Sequence, residues 1–288
     1  MKHRGADRTS RIALLTLLAL IGFSANSVLC RLALRDGLMD PASFTGARIV
    51  SGAIMLALIV RVRGKRFGGD WVSAAALMVY AIGFSFAYVS IPAGIGALLL
   101  FGAVQITMIG TGLVNGERPY WHEWTGEAIS LAGLIGLLWP GLSAPPLRGA
   151  LLMALAGIAW AGYSLRGRRN TDSMAATAGN FLRAAPIAIL IALLNRQPQW
   201  SMPGLIYAVL SGAVASGLGY AIWYTVLPSL TAVRAGLVQL GVPVLVAAIG
   251  IVFLGERLTP RLTVCAVLIL GGLALATLYR RQPPACTA

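Results

Sequence analysis

Charged residues are scarce in this chain of 288 residues. They make up 11% of the sequence, whereas a soluble domain carries about 25%. Hydrophobic residues make up 58%, and the mean hydropathy is +0.79. A surface that faces water needs charged side chains, and a surface that faces lipid does not. The shortage therefore excludes an ordinary soluble domain and predicts an all-α integral membrane protein.

Histidine and cysteine are also rare. The two histidines, His3 and His122, lie far apart, and none of the three cysteines belongs to a C-x-x-C pair. This spacing cannot assemble a metal cluster, so we predict no metal and no cofactor. An integral-membrane enzyme needs a metal set, a nucleophile with a base, or another constellation of His, Asp and Glu in or beside the membrane. The sequence offers none, and we predict that the chain is not an enzyme.

Basic residues outnumber acidic ones by 23 to 9. They occur in short runs between apolar segments, for example within 61–66 and 166–169. Such runs are typical of membrane topology signals, and we predict no nucleic-acid partner. If the N-terminus is placed in the cytoplasm, 14 Lys and Arg fall in inside segments and 6 in outside segments. The excess predicts a multi-pass protein of the bacterial inner (plasma) membrane with both termini cytoplasmic.

Apolar segments of the length that crosses a bilayer, roughly 20 residues, occur ten times. The first follows Lys2 and Arg4, but no A-x-A cleavage site comes after it, so we predict a retained helix rather than a signal peptide. The connections are too short to fold separately, which predicts one membrane domain. The ten predicted helices are 12–30, 43–60, 71–91, 93–114, 124–142, 148–166, 176–194, 204–226, 231–254 and 261–279.

The two halves of the chain resemble each other. Gly-Glu-Arg triplets at 116–118 and 255–257 are 139 residues apart, and Arg48 and Arg183 are 135 apart. Five helices is an odd number, so the second copy must enter the membrane from the opposite side. We therefore predict two inverted five-helix repeats, 1–142 and 143–288, around a central cavity, an arrangement common in secondary transporters. A duplicated scaffold without a transport role is the alternative.

These features carry a family resemblance. The segment 22–26 (Gly-Phe-Ser-Ala-Asn), the triplets at 116–118 and 255–257, and Pro243 resemble the drug/metabolite transporter superfamily in its ten-helix EamA-type branch. At the first-half position equivalent to Pro243 stands Val104, a departure that predicts a straighter helix there. Within the superfamily the chain is most similar to bacterial aromatic amino-acid exporters. The resemblance implies efflux of amino acids and related compounds.

Polar and aromatic side chains inside the predicted helices are the candidate binding residues. An unsatisfied amide in hydrocarbon costs several kcal/mol, on the order of 2–7, so helical Asn and Gln should face the protein interior or a wet cavity. The alternatives are a Gln bonded to a neighbouring backbone and aromatics in an interfacial belt, which we favour for Tyr224. The predicted substrate-binding residues are Asn26, Ser27, Tyr80, Phe84, Tyr88, Gln105, Trp160, Tyr163, Ser164, Trp223 and Gln239.

Fixed charge is not expected at this cavity. All nine acidic residues fall in loops or near predicted helix ends, so we predict transport without a mid-membrane carboxylate relay, by facilitation or by another coupling route. Arg48 and Arg183 lie shallow enough in their helices to extend toward the lipid headgroups; a substrate-carboxylate role for either is the alternative. Glu117 and Glu256 are expected to pair with Arg118, Arg257 or a nearby helix terminus.

An aromatic cavity with amides and hydroxyls suits a small amphipathic solute. We predict a secondary transporter that exports amino acids and related metabolites by alternating access, with the lipid bilayer and a small-molecule substrate as its partners. An exporter of lipophilic cationic drugs is the nearest alternative, and an integral-membrane enzyme is a distant one. The substrate, the direction of flux, the coupling ion and the oligomeric state stay open.

Overall fold

A computed structural model describes residues 2–114, 116, 121–139, 144–167, 170–226, 239 and 241–278. The chain is helical throughout these ranges, apart from short connections. The helices are α1 (Lys2–Arg35), α2 (Pro41–Val62), α3 (Trp71–Tyr88), α4 (Ala93–Val114), α5 (Trp121–Leu138), α6 (Leu147–Gly167), α7 (Ser173–Leu194), α8 (Met202–Val226), α9 (Gly241–Leu254) and α10 (Pro260–Leu278). Asn115, Glu117, Arg118 and the predicted start of the ninth helix at 231–238 lie outside the described residues.

The helices have the length and surface of membrane segments. Seven are long and apolar enough to cross a bilayer, and Trp124–Leu138, Gly241–Leu254 and Pro260–Gly272 are shorter apolar helices. Large apolar side chains cover the outer faces; Leu14 is 57% exposed and Phe253 is 75% exposed. Such a surface is unfavourable in water and favourable against lipid. The prediction of an all-α integral membrane protein is confirmed.

Acidic side chains in the loops begin several of the helices. Asp40 accepts hydrogen bonds from the backbone N–H groups of Ala42 and Ser43, at 3.0 and 2.9 Å. Asp70 and Asp172 cap α3 and α7 in the same way. Each cap satisfies N–H groups that have no partner within the helix and contributes about 1 kcal/mol. These carboxylates therefore fix where the helices start.

The helix pairs pack in a pattern that repeats between the halves. α2 packs on α7, α5 packs on α10, and α4 packs on α9. The contact of α3 with α6 corresponds to the contact of α8 with α1. In the same way, the contact of α4 with α6 corresponds to the contact of α9 with α1. Small residues bring backbones together: a Cβ added at Gly157 of α6 would lie 2.6 Å from the Leu100 carbonyl oxygen of α4. Six helices (α1, α3, α4, α6, α8 and α9) therefore surround the interior.

α8 departs from regular α geometry in its middle. Its residues Leu210–Leu218 form a π-helix between the α-helical segments Met202–Val209 and Gly219–Val226. Gly212 in this segment faces the Arg48 carbonyl of α2 so closely that no side chain fits between them. π segments inside α-helices are frequent at functional sites because they redirect side chains. Here the segment brings Ser211, Ala215 and Ser216 toward the interior.

Candidate substrate-binding cavity

A narrow cavity lies between α1, α3, α4, α6, α8 and the start of α9. Its volume is about 50 Å³, which is room for a few water molecules. A solute larger than this enters only if the surrounding side chains separate. The lining residues are Phe23, Asn26, Ser27, Tyr80, Phe84, Leu100, Phe101, Trp160, Ala215, Ser216, Tyr220, Gln239 and Val242.

Six of the thirteen lining residues carry aromatic rings. Tyr80 of α3 lies 4.9 Å from Trp160 of α6, centroid to centroid, and Trp160 stacks on Tyr220 of α8 at 5.6 Å. Phe23 of α1 continues the wall, 5.7 Å from Tyr220. Phe84 lies one turn from Tyr80 at 5.3 Å. The rings come from both halves of the chain, so a ligand between them would contact both halves.

A buried hydrogen-bond network supports one side of this wall. The Ser211 hydroxyl donates to Asn26 Oδ1 at 2.6 Å, and Asn26 Nδ2 donates to the Tyr80 hydroxyl at 3.3 Å. Arg48 Nη2 donates to the same Tyr80 oxygen at 3.0 Å. The network joins α1, α2, α3 and α8 through side chains that are 7% exposed or less. Tyr80 Oη therefore receives two donors, and its own proton is left to donate.

Arg48 corrects one expectation. It does not extend to the headgroups: its side chain is 1% exposed, and its guanidinium carbon lies 5.2 Å from the Tyr80 ring centre and 4.9 Å from the Phe84 ring centre. The depth of a residue along its helix says nothing about the neighbours that pack over it. The cavity lining formed by the described residues contains no charged side chain, but the Arg48 guanidinium lies directly behind two of its rings. Nε and Nη1 of Arg48 have no partner among the described residues.

Arg183, the counterpart of Arg48 in α7, lies in a different setting. It is half-buried, and its Nη1 donates to the Gly68 carbonyl at 2.8 Å and to the Gly179 carbonyl at 2.9 Å. Gly68 belongs to the connection between α2 and α3. The side chain thus ties α7 to this loop.

The predicted binding residues separate into two groups in the structure. Asn26, Ser27, Tyr80, Phe84, Trp160 and Gln239 line the cavity. The others lie outside its lining: Tyr88, Gln105, Tyr163, Ser164 and Trp223.

The second group has identifiable contacts. Tyr88 is fully buried beneath Phe84, and its hydroxyl donates to the Ala93 carbonyl at 3.3 Å. The Tyr163 hydroxyl donates to Thr177 at 3.2 Å. Trp223 makes an edge contact with the Phe23 ring. Gln105 and Ser164 are half-buried.

Tyr224 corrects the expectation of an interfacial belt, because its hydroxyl accepts a hydrogen bond from Thr177 at 3.2 Å and its ring stacks on Tyr220.

Several lining residues were missed at the sequence level. Phe23, Phe101 and Tyr220 were visible as helical aromatics, but periodicity alone does not reveal which face of a helix points inward. Ala215 and Ser216 carry no distinctive sequence signal. They face the cavity because of the π segment of α8, and no residue pattern in the sequence predicts that segment.

A cluster of contacts joins the two halves at the helix ends near Glu256, and we call it the outer latch (Arg31, Ala93, Gly94 and Glu256). The Glu256 carboxylate accepts from the backbone N–H of Ala93 at 2.7 Å and of Gly94 at 3.5 Å, at the start of α4. Arg31 Nε lies 3.7 Å from the same carboxylate. The pairing of Glu256 is therefore with a helix terminus and Arg31, not with Arg257. Glu117 lies outside the described residues.

A second cluster joins the halves at the opposite helix ends, and we call it the inner latch (Lys65, Asp70, Arg166 and Asp172). Arg166 Nη2 pairs with Asp70 at 2.9 Å, and Lys65 pairs with Asp172. The Lys65 ammonium and the backbone N–H of Ala175 hold the pKa of the Asp172 carboxyl below its ordinary value. The Ser73 backbone N–H, with Arg166, lowers the pKa of Asp70.

Glu127 requires a further correction. It lies within α5, beyond the first turn, rather than at a helix end, and its Oε2 is buried without a partner among the described residues. It is absent from the lining of the central cavity.

Comparisons with known proteins agree with this architecture. The chain is 52% identical over 269 residues to a Pseudomonas aeruginosa protein named "Uncharacterized protein PA1977", covering 92% of this chain and 94% of the relative. It is 29% identical over 188 residues to the Escherichia coli K12 protein named "Uncharacterized inner membrane transporter YedA", covering 62% and 59% of the two chains.

A solved crystal structure superposes with a TM-score of 0.67 over 93% of this chain and 97% of that chain, at 21% identity, which supports the fold alone. The family model of the EamA-like transporters matches twice, at residues 10–139 and 147–278. The helices, their membrane-type surface and the interior cavity suit a membrane transporter. The chain belongs to the EamA-like transporter family.

Proposed function

We propose that the protein is a secondary transporter that exports amino acids and related small amphipathic metabolites by alternating access. The observation that carries the proposal is the central cavity, whose wall of Tyr80, Trp160, Tyr220 and Phe23 combines aromatic faces from both halves with buried hydroxyl and amide groups. Aromatic faces bind apolar bodies and cations, and the polar groups orient a charged end. The transporter names of relatives support the same class.

Ten membrane crossings in two inverted repeats, 1–142 and 143–288, belong to this proposal. Exchanging each helix of the first half for its counterpart in the second (α1 for α6, through α5 for α10) maps the main packing pairs onto one another. The loop contacts support alternating crossings: Asp40 with Gln199, Arg31 with Glu256, and Arg166 with Asp70 each join connections that ten crossings place on one side. With cytoplasmic termini, the outer latch is periplasmic.

The positions of the two latches support alternating access. Each latch joins the first half to the second at one end of the bundle, and the cavity lies between them. A solute of amino-acid size exceeds the present cavity, so binding requires one latch to open and the rings to separate. Release on the opposite side requires the other latch to open.

The test is transport by the purified full chain in liposomes. We expect labelled phenylalanine and related amino acids to cross faster than in empty liposomes, with saturable kinetics and competition by other amphipathic amino acids. Measurements with and without a pH gradient identify coupling. If no amino acid is transported but cationic dyes are, the drug-exporter alternative replaces this proposal; the aromatic wall is the observation that favours that alternative.

A further inference from the structure

We propose that Arg48 and Tyr80 form an anion subsite of the cavity that selects solutes bearing a carboxylate next to an apolar or aromatic body. This inference rests on the proposed transport function and names the substrate class. It also opposes lipophilic cations, because a fixed positive charge lies directly behind the cavity wall.

The first argument is the charge balance around Arg48. The guanidinium is 1% exposed and takes part in no ion pair among the described residues. Removing a cation from water costs several kcal/mol even after relaxation of the protein. The rings of Tyr80 and Phe84 offset part of this cost through cation–π contact. An anion that enters the cavity would offset more, because attraction is strong where water is excluded.

The second argument is the direction of the hydrogen bonds. The Tyr80 oxygen accepts from both Arg48 and Asn26, so its proton points to neither. The Asn26 carbonyl oxygen is occupied by the Ser211 hydroxyl. This side of the cavity therefore offers a donor, and the bond from Arg48 polarises the Tyr80 hydroxyl and strengthens that donor. Carboxylate oxygens accept only, and they fit this side.

The third argument is the remainder of the cavity. The faces of Trp160, Tyr220 and Phe23 stand beyond Tyr80 and suit an apolar or aromatic body. No carboxylate belongs to the lining formed by the described residues. The ammonium of an amino acid would lie against a ring face rather than a fixed anion. The ligand class is thus a small carboxylate with an apolar body, with or without an amine.

Arg183 shows how a structural arginine is bonded in this fold. Its Nη1 is directed at two backbone carbonyls, and it lies away from the cavity lining. Among the residues that the structure describes, Arg48 makes one side-chain hydrogen bond, and two of its nitrogens have no partner. Arg183 is therefore the matched control for removal of a helical guanidinium.

The experiment measures ligand binding to the full chain in lipid nanodiscs by quenching of tryptophan fluorescence. The probes are phenylalanine, phenylalaninamide and 2-phenylethylamine, which share the ring and the amine and differ in the carboxylate. We expect the wild-type protein to bind phenylalanine at least tenfold more tightly than either analogue that lacks the carboxylate. Arg48→Met should remove that preference, Arg48→Lys should keep part of it, and Arg183→Met should keep all of it.

The outcomes separate this inference from the proposed function. Equal binding of the three probes by the wild-type protein overturns the subsite even if liposomes still transport amino acids. A preference that survives in a folded Arg48→Met protein also overturns it. If Arg48→Met does not fold, Tyr80→Phe decides: it keeps the guanidinium, removes the hydroxyl donor, and should reduce the preference severalfold. If liposomes show no transport, the proposed function is contradicted. The binding preference measured in nanodiscs then still decides whether the anion subsite exists.

Discussion

Arg48 and Arg183 occupy corresponding places in the two halves of the chain, 135 residues apart, yet their surroundings are opposite. Arg48 lies against two aromatic rings, and two of its nitrogens have no partner in the described part of the chain, whereas Arg183 is half-buried and bonded to backbone carbonyls. The pairing of α2 with α7 places both residues in the same helix pair. The two arginines therefore hold corresponding positions in the helix pair but have different chemical surroundings.

The neighbouring helices explain the difference. α3 carries Tyr80 and Phe84 over Arg48. At the offset of 137 that relates the first and sixth helices, the corresponding residues of α8 are Gly217 and Ala221. Glycine and alanine at these positions have no aromatic ring that could cover a second guanidinium. At these positions the second half therefore offers no aromatic counterpart to the two rings that cover Arg48.

The largest expected effect comes from removing each guanidinium in turn. Arg48→Met should lower the initial rate of phenylalanine transport in liposomes by tenfold or more, because the carboxylate loses its counter-charge. Arg183→Met should change the rate by less than about twofold, since its bonds are to backbone carbonyls outside the cavity. If both variants keep the thermal stability of the wild-type protein and lose the same fraction of the transport rate, the difference proposed between the two arginines is contradicted.

A smaller effect is expected from removing a tyrosine hydroxyl. Tyr80 and Tyr163 form the comparison, because Tyr80 lines the cavity and Tyr163 does not. Tyr80→Phe leaves donors of Arg48 and Asn26 unpaired and removes a donor from the cavity, so the apparent KM for phenylalanine should rise about three- to tenfold. Tyr163→Phe removes a hydroxyl that bonds Thr177 outside the cavity lining. It should cost stability on the order of 1 kcal/mol and leave KM unchanged. A raised KM in Tyr163→Phe would place that residue in the binding path.

Much of the helical framework was predictable, because an apolar run of membrane length leaves few alternatives. The predicted fourth helix, 93–114, coincides with α4 (Ala93–Val114). The spacing of Tyr80 and Phe84 by four residues correctly placed the two rings side by side on one face of α3. Whether the cavity-lining residues bind substrate stays a prediction.

The burial of Arg48 was not predictable from the sequence. Its environment comes from Tyr80, Phe84 and Gly212, which lie far away along the chain. Periodicity gives the relative phase of residues within one helix and not the direction of that helix's neighbours. In α8 the π segment also changes the number of residues per turn, so a regular period of 3.6 residues does not place Ser216 at the cavity.

The two latches offer a comparison between opposite ends of the bundle. Glu256→Gln weakens the charge-assisted cap of α4 and removes the ion pair with Arg31, which should open the outer end. In a background without native cysteines, Ser216→Cys should then react severalfold faster with an impermeant maleimide added from outside. Asp172→Asn, at the inner latch, is the control and should not accelerate this labelling. Slower labelling in Glu256→Gln would contradict the assignment of the outer latch.

The smallest expected effect is the pH dependence of the inner latch. The Lys65 ammonium lowers the pKa of Asp172 below its ordinary value of 3.8, so its charge stabilises the folded state above that pH, and the contribution is lost as the pH falls through the lowered pKa. Asn also caps helices well, so Asp172→Asn isolates the charge. Because the Lys65 side chain is 56% exposed and that of Asp172 is 31% exposed, water screens the pair, and the variant should lose less than about 1 kcal/mol at pH 7. Thermal melts in nanodiscs should show this difference shrinking below about pH 4, and a difference that grows on acidification would contradict the ion pair.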